Sequence, residues 1–337
     1  MKHEHELYDV TIIGGGPAGM YAAFYCGMRD MKTKIIEVGT ELGGQVLLYP
    51  EKTVWDVGGV PPVMARELVN QMKNQATVFE PDLFLGEQVV DIQRDENQYF
   101  LLTTDSGKVH YSKTVILAMG RGVIQPTKLD FEGIDQYEVS NLYYTVQELD
   151  VFRGKKVLIS GGGDSAVDWA NELVNVAEEV MVVHRRDHFG GLERNVKRLK
   201  ESSAILKTPY ELHQLHGDST AIQEVTIKHR ETDHLETHRV DAVIVNHGMR
   251  GEYGPLAKWG IDTRDGRVAV NEKRETSVPG IFGAGNVVAH EGHVPLIAAA
   301  ITDSVLAVNA AKRYLEPEAT EIAMVSSHNE RFASLSK

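Results

Sequence analysis

The sequence predicts an α/β protein built from two similar units, each a parallel sheet with a smaller antiparallel sheet. Two observations carry the prediction. A strand, a glycine-rich turn and a helix start occur at residues 8–23 and again at residues 156–166. In each copy a second strand follows at the same distance: Gly14 and Glu37 stand 23 positions apart, as do Gly161 and His184. The length of 337 residues agrees, since about 150 residues per domain allows about two domains.

In the first copy an apolar strand, Tyr8 to Ile13, runs into Gly14-x-Gly16-x-x-Gly19, and an alanine-rich helix follows from Ala18 to Met28. This is a dinucleotide fingerprint in its required setting of strand, turn and helix. Gly14, Gly16 and Gly19 permit the tight turn, the close approach of a pyrophosphate and the close packing of helix on strand. Pro17 and Ala18 open the helix, whose free N–H groups and dipole favour an anion. The second strand, Thr33 to Glu37, ends in an acid placed to accept the hydroxyls of an adenosine ribose. Glu37 favours FAD or NAD, because a 2′-phosphate would be repelled.

In the second copy Lys156 to Ser160 leads into Gly161-Gly162-Gly163-Asp164-Ser165-Ala166, with Ala166 in the third small position. The next strand, Val180 to Arg186, ends in His184-Arg185-Arg186 where the first copy has its acid. A guanidinium is planar and fully charged, which suits a 2′-phosphate, so this copy predicts NADP(H). The later halves match too: Thr114 to Gly120 and Asp241 to Gly248 each read as a buried strand ending at glycine. Gln88 to His110 and Ile222 to Val240 read as small antiparallel sheets. A short strand, Gly280 to Gly283, then ends in Gly283-Ala284-Gly285-Asn286, and Pro295 to Leu315 reads as a long helix. That helix start is expected to point its positive end at a flavin ring. The connections between units are expected near Ile124 and between Gly266 and Val278.

Composition excludes several classes. One cysteine, Cys26, rules out a disulfide framework, a Cys₄ zinc site and a dithiol relay, and its place on the first helix predicts a packing role. A net charge of −13 argues against nucleic acid and anionic membranes as partners. The N-terminus has no apolar signal core, and no stretch has the apolar length of a membrane helix, so cytoplasmic residence is expected. Among the 14 histidines, His3, His5, His229, His234, His238, His290 and His293 show no metal-ligand spacing, and no metal is expected.

The order of these segments resembles the two-domain flavoprotein disulfide reductases of the thioredoxin reductase type, in which an NADP domain is inserted into a discontinuous FAD domain. Those enzymes carry a Cys-x-x-Cys just past the second glycine turn, where this chain has Asp164-Ser165-Ala166-Val167-Asp168-Trp169. The bacillithiol disulfide reductases place a cysteine where this chain has Ala18. Without those cysteines the chain resembles the ferredoxin–NADP⁺ reductases of the thioredoxin-reductase-like type. Gly43-Gly44-Gln45, Leu48-Tyr49-Pro50-Glu51-Lys52, the second glycine turn, His184-Arg185-Arg186-Asp187 and Asn246-His247-Gly248 carry that match along nearly the whole chain.

The resemblance implies two Rossmann-like domains: an FAD domain of residues 1–121 and 281–337, and an NADP(H) domain of residues 122–280. It implies FAD contacts from Glu37, Gln45, Tyr49, Val89, Ile124, Asn286 and Ser326, with Tyr49 stacked on the ring. NADP would be held by Gly161, Gly163, Asp164, Ser165, His184, Arg185 and Arg186. Asn286 stands where the family usually has Asp, and Gly190 where a further Arg often follows. The tail beyond Pro317 implies a homodimer in which it reaches the other subunit's flavin through Val325, Ser326 or His328. The activity implied is hydride transfer from NADPH to flavin, then single-electron transfer to ferredoxin or flavodoxin, with no side chain as obligatory acid or base. Docking an acidic partner would need a local basic patch: Lys197, Arg198 and Lys200, or Lys312 and Arg313. A redox-responsive regulator and a reductase of ferric complexes or quinones remain as alternatives.

Overall fold

The computed structural model describes residues 6–131 and 134–332; His3 and His5 lie outside them. The chain divides into two units, residues 1–124 with 251–337, and residues 125–250.

In the first unit a seven-stranded sheet is built around Leu7–Ile13. Thr33–Glu37 and then Asp82–Leu85 lie parallel on one side of it, and Val109–Leu117 lies parallel on the other. Val109–Leu117 switches partner midway. Its first half pairs antiparallel with Phe100–Thr104, and its last three residues pair parallel with Ile281–Gly283. The antiparallel strands expected between Gln88 and His110 therefore run on directly from the parallel ones. The sheet core is apolar and β-branched, as a strand buried on both faces requires. One face packs against the helices Pro17–Met28, Ala65–Ala76 and Ile297–Leu315 through Val10, Ile12, Met20, Phe24, Leu68 and Val308.

The opposite face explains where the chain returns. Leu256, Trp259, Ile261 and Val268 bury against Ile13, Leu117 and Val115 of this sheet. The return therefore falls at Gly251, well before the Gly266–Val278 stretch expected from sequence and before residue 281. A glycine-rich, polar run hid four core residues from a reading based on composition. The outgoing strand Val123–Pro126 and the incoming strand Met249–Glu252 pair as a two-stranded ribbon.

The second unit holds a five-stranded parallel sheet, ordered Leu142–Tyr143, Ala242–Val245, Lys156–Ser160, Glu179–Val183, Ile205–Lys207. A separate antiparallel sheet is formed by Tyr210–Gly217, Ile222–His229 and Leu235–Arg239. Both sheets share one core through Leu158, Val183, Val225, Ile227 and Val243. The strand expected to reach Arg186 ends at Val183, so His184 to Arg186 stand beyond the sheet edge.

One core position carries a charge-bearing side chain. Lys34, in the second strand, is fully buried. Its Nζ lies 4.2 Å from the centre of the Tyr8 ring and donates to the Tyr111 carbonyl at 3.3 Å. Burial pushes its ammonium down to about 7, against the pull of Asp82 and Glu6. A lysine whose folded pKa lies below its unfolded value destabilises the fold most at low pH. The penalty fades as pH rises from about 7 towards 10.5. Lys34→Met should therefore raise the free energy of unfolding at pH 7, by at most about 5 kcal/mol, and most of that gain should be gone by pH 10. Urea unfolding at the two pH values checks this; a gain that is equal at both contradicts it.

Candidate functional site

Two sites stand at the carboxyl ends of the two parallel sheets, where open α/β sheets bind ligands. The first is a cavity of about 600 Å³ in the first unit. It opens where the strands Leu7–Ile13 and Val109–Leu117 lie side by side and the connections leave in opposite directions. Gly14, at φ +107°, turns the chain there, and a Cβ on it would lie 2.5 Å from the Ala118 carbonyl oxygen. The helix that follows has Gly16 at its N-cap, Pro17 in its first turn, no acid there and no side-chain cap. Its first N–H groups and its positive dipole end are thus left for an anion.

Glu37 ends its strand at the cavity edge. One carboxylate oxygen accepts from the Gly15 N–H, and the other accepts from the Gly39 N–H at 2.7 Å. Those bonds fix the side chain and leave lone pairs on both oxygens for hydroxyl donors. Gln45 lies on the short helix Gly44–Leu48. Its Nε2 is buried with no hydrogen-bond partner among the described residues. An unpaired buried donor costs about 1–3 kcal/mol, so a ligand acceptor is expected there. A second helix start, Pro295 to Ile297, meets the same cavity, again with no acid in its first turn.

Of the residues assigned from sequence, Gly14, Gly16, Pro17, Ala18, Glu37, Gln45, Val89, Ile124 and Asn286 line this cavity. Gly19, Tyr49 and Ser326 do not. Gly19 faces the opening strand, where a Cβ would lie 1.8 Å from the Gly14 carbonyl oxygen. Tyr49 ends the short helix, with its N–H turned back to Val46. Ser326 is exposed on a tail strapped along the first helix of its own unit. Arg29 donates to the Thr320 and Glu321 carbonyls, the Tyr25 hydroxyl accepts from the Ala323 N–H, and Asn329 donates to the Met28 carbonyl. The cavity also takes Glu87, Glu252 and Tyr253, which sequence reasoning missed. Glu87 is held by Lys108 at 2.5 Å and His110 at 3.1 Å. Burial pushes its carboxyl upward, but these bonds outweigh it and keep its pKa below the ordinary value.

The second site belongs to the second unit. Gly161 turns the chain at φ +150°, with the Asn246 carbonyl oxygen 2.6 Å from where a Cβ would be. The face of Gly163 is open, with no atom within 4 Å of such a Cβ. Asp164 and Ser165 start the helix Asp164–Leu173, and Asp164 accepts from the Leu192 N–H at 3.0 Å. The His184 ring packs on Gly162 and stacks on Phe189 at 5.5 Å. Burial, with Arg186 and Arg185 adding to it, lowers the His184 pKa. Arg185 and Arg186 are exposed, and among the described residues neither has an ion-pair partner. His247, from the Asn246-His247-Gly248 stretch, meets Ser160 at 2.8 Å across the ends of adjacent strands. The site is cationic, and the first is bordered by carboxylates.

These features define a flavin- and nicotinamide-type α/β oxidoreductase. The pyridine nucleotide-disulphide oxidoreductase family matches residues 8–309, and the chain belongs to it. Two of its curated relatives are named as reductases of one kind. It is 55% identical to Ferredoxin–NADP reductase 1 of Bacillus pumilus, over 100% of this chain and 98% of that protein. It is 51% identical to Ferredoxin–NADP reductase 1 of Shouchella clausii, over 98% and 94%. Among solved structures, thioredoxin reductase of Lactococcus lactis superposes with a TM-score of 0.75 at 28% identity, over 91% of this chain and 99% of that one.

Proposed function

We propose that the chain is an FAD-dependent reductase that takes hydride from NADPH and delivers electrons to ferredoxin or flavodoxin. The observation that carries this reading is the pairing, in one chain, of a glycine turn answered by Glu37 with a glycine turn answered by Arg185 and Arg186. FAD fits the first site: the orphaned Gln45 donor, the fixed Glu37 acceptor and two uncapped helix starts supply what its amide-rich ring, ribose and phosphates need. NADP(H) fits the second, where two free guanidiniums can pair a 2′-phosphate. The relatives named Ferredoxin–NADP reductase support the acceptor.

FAD supplies the chemistry, accepting a hydride and releasing electrons singly. The residues of this chain bind and align. Glu37 would hold the adenosine ribose, the first-turn N–H groups after Gly16 the phosphates, and Gln45 with Asn286 the rest of the cofactor. The helix Ile297–Leu315 offers its positive end to charge near its first turn. No dithiol step is available, because Cys26 is the only cysteine and is buried.

Docking of an acidic protein has to overcome a net charge of −13. Of the two basic patches, Lys312 and Arg313 are taken up by Glu316 and Glu321. Lys197, Arg198 and Lys200 are exposed on the helix Glu193–Lys200, with Lys197 only 3.9 Å from Glu201 at its nearest. That helix is the better docking face. The test is NADPH-driven reduction of ferredoxin coupled to cytochrome c. Turnover of many per second is expected, falling steeply with salt. Lys197→Glu with Lys200→Glu should raise the ferredoxin KM about tenfold at low salt and little at high salt. Reduction of the protein by NADPH without onward transfer would remove the acceptor from the reading.

A cytoplasmic homodimer belongs to the same proposal. Support for the dimer is the tail itself, which is fixed in place yet exposes Ile322, Met324 and Val325. Among the described residues no helix is long and apolar enough to cross a membrane.

A further inference from the structure

Sequence spacing gave His290 and His293 no third partner, and so no metal. The fold supplies one. The two histidines lie on the loop that follows Val288–Ala289, and Asp303 lies on the helix Ile297–Leu315. One ligand atom from each of the three side chains lies within 4.8 Å of the others.

We propose that His290, His293 and Asp303 form a binding site for one divalent transition cation of the zinc class. The argument turns on lone pairs. His290 Nδ1 lies 2.7 Å from the Glu291 carbonyl oxygen, so Nδ1 carries the hydrogen and Nε2 the lone pair. That Nε2 is buried without a hydrogen bond and faces Asp303 Oδ1 at 3.7 Å. A lone pair facing a carboxylate calls for a hydrogen-bond donor or a cation between them. A proton would satisfy His290 alone. It would leave both His293 nitrogens buried and unpartnered, as they are among the described residues. A cation engages one lone pair on each histidine at once.

The outer contacts are those of a metal site. Metal-binding histidines commonly donate their other N–H to a backbone carbonyl, as His290 does. Asp303 is only 3% exposed and is oriented by the Arg274 Nε at 2.8 Å and the Gly285 N–H at 3.0 Å. Each carboxylate oxygen keeps a lone pair after those bonds. Arg274 is the present counter-charge of Asp303, and a cation would share the carboxylate with it. Ligand atoms around tetrahedral zinc lie about 3.3 Å apart, so modest rotation of the two imidazoles closes the site, with water completing it. Two imidazoles and one carboxylate select zinc, cobalt, nickel or iron over calcium or magnesium. Neither histidine lines the large cavity, so this inference stands apart from the reductase reading.

The test is Co²⁺ titration of untagged, EDTA-treated protein, followed by visible d–d absorption and by equilibrium dialysis. One Co²⁺ per chain is expected, displaced by Zn²⁺. His290→Gln and His293→Gln should each weaken binding by about tenfold or more, and the double variant should abolish it. Zn²⁺ should also raise the thermal midpoint of the parent chain and not that of the double variant. Circular dichroism confirms that the variants are folded. Absence of a stoichiometric site overturns the proposal. So does binding that survives in the double variant, which would place the metal on other histidines.

Discussion

Gly19→Ala is expected to purify without flavin and to unfold about 3 kcal/mol more easily than the parent. The reason is steric and admits little relief. The added Cβ would lie 1.8 Å from the Gly14 carbonyl oxygen and 3.3 Å from a methyl of Ile12. The first of these neighbours is backbone, so no rotamer change removes the clash. The helix Pro17–Met28 must retreat from the strand Leu7–Ile13. Its uncapped N-terminus is then withdrawn from the turn at which a pyrophosphate would sit. The second unit supplies the control. At Gly163 an added Cβ meets nothing within 4 Å, and the backbone is not left-handed. Gly163→Ala should fold and keep its flavin, yet bind NADPH more weakly, because the methyl occupies the space a pyrophosphate needs. Urea midpoints and the ratio of visible to 280 nm absorbance decide between them. A Gly19→Ala protein as stable and as yellow as the parent would refute the packing argument.

The double variant Arg185→Ala, Arg186→Ala should raise the NADPH KM about 100-fold while leaving NADH turnover nearly unchanged. A charge-assisted hydrogen bond contributes roughly 1.5–3 kcal/mol, and the two guanidiniums are free to make several. NADH lacks the phosphate they would hold. The kcat/KM ratio of the two nucleotides is the measurement. An equal loss for both would mean that the arginines shape the site without reading the phosphate. Gly190 offers the converse change. Its backbone is not left-handed, and the nearest atom to an added Cβ is 3.8 Å away. Gly190→Arg should therefore be accommodated and should sharpen the preference for NADPH.

The parts of the site legible in the sequence were those whose partners lie close along the chain. Gly14, Gly16, Gly19 and Glu37 belong to one strand–helix–strand unit, and the even spacing to Gly161 and His184 exposed the repeat. The structure added what long-range closure brings. Glu252 and Tyr253 line the cavity because Leu256, Trp259 and Ile261 bury on the first unit's sheet, a contact that no local pattern announces. Asp303 carries no local signal, because its partners Arg274 and His290 reach it from other segments. Tyr49 stands just past the part of the chain that lines the cavity. Its neighbours Gln45 to Leu48 line the cavity, and Tyr49 caps the end of that short helix.

The buried cysteine has a practical side. Cys26 is fully enclosed in the helix-packed face of the first unit, and burial, the largest influence on its thiol, pushes it up to about 12. At pH 7 only about one molecule in 10⁵ would carry the thiolate. To alkylating and maleimide reagents the folded chain is therefore blank. A single cysteine introduced on either unit would become its one reactive handle, without removal of the native residue. Spectroscopic labels could then be placed one on each unit, and the distance between them followed through a catalytic cycle.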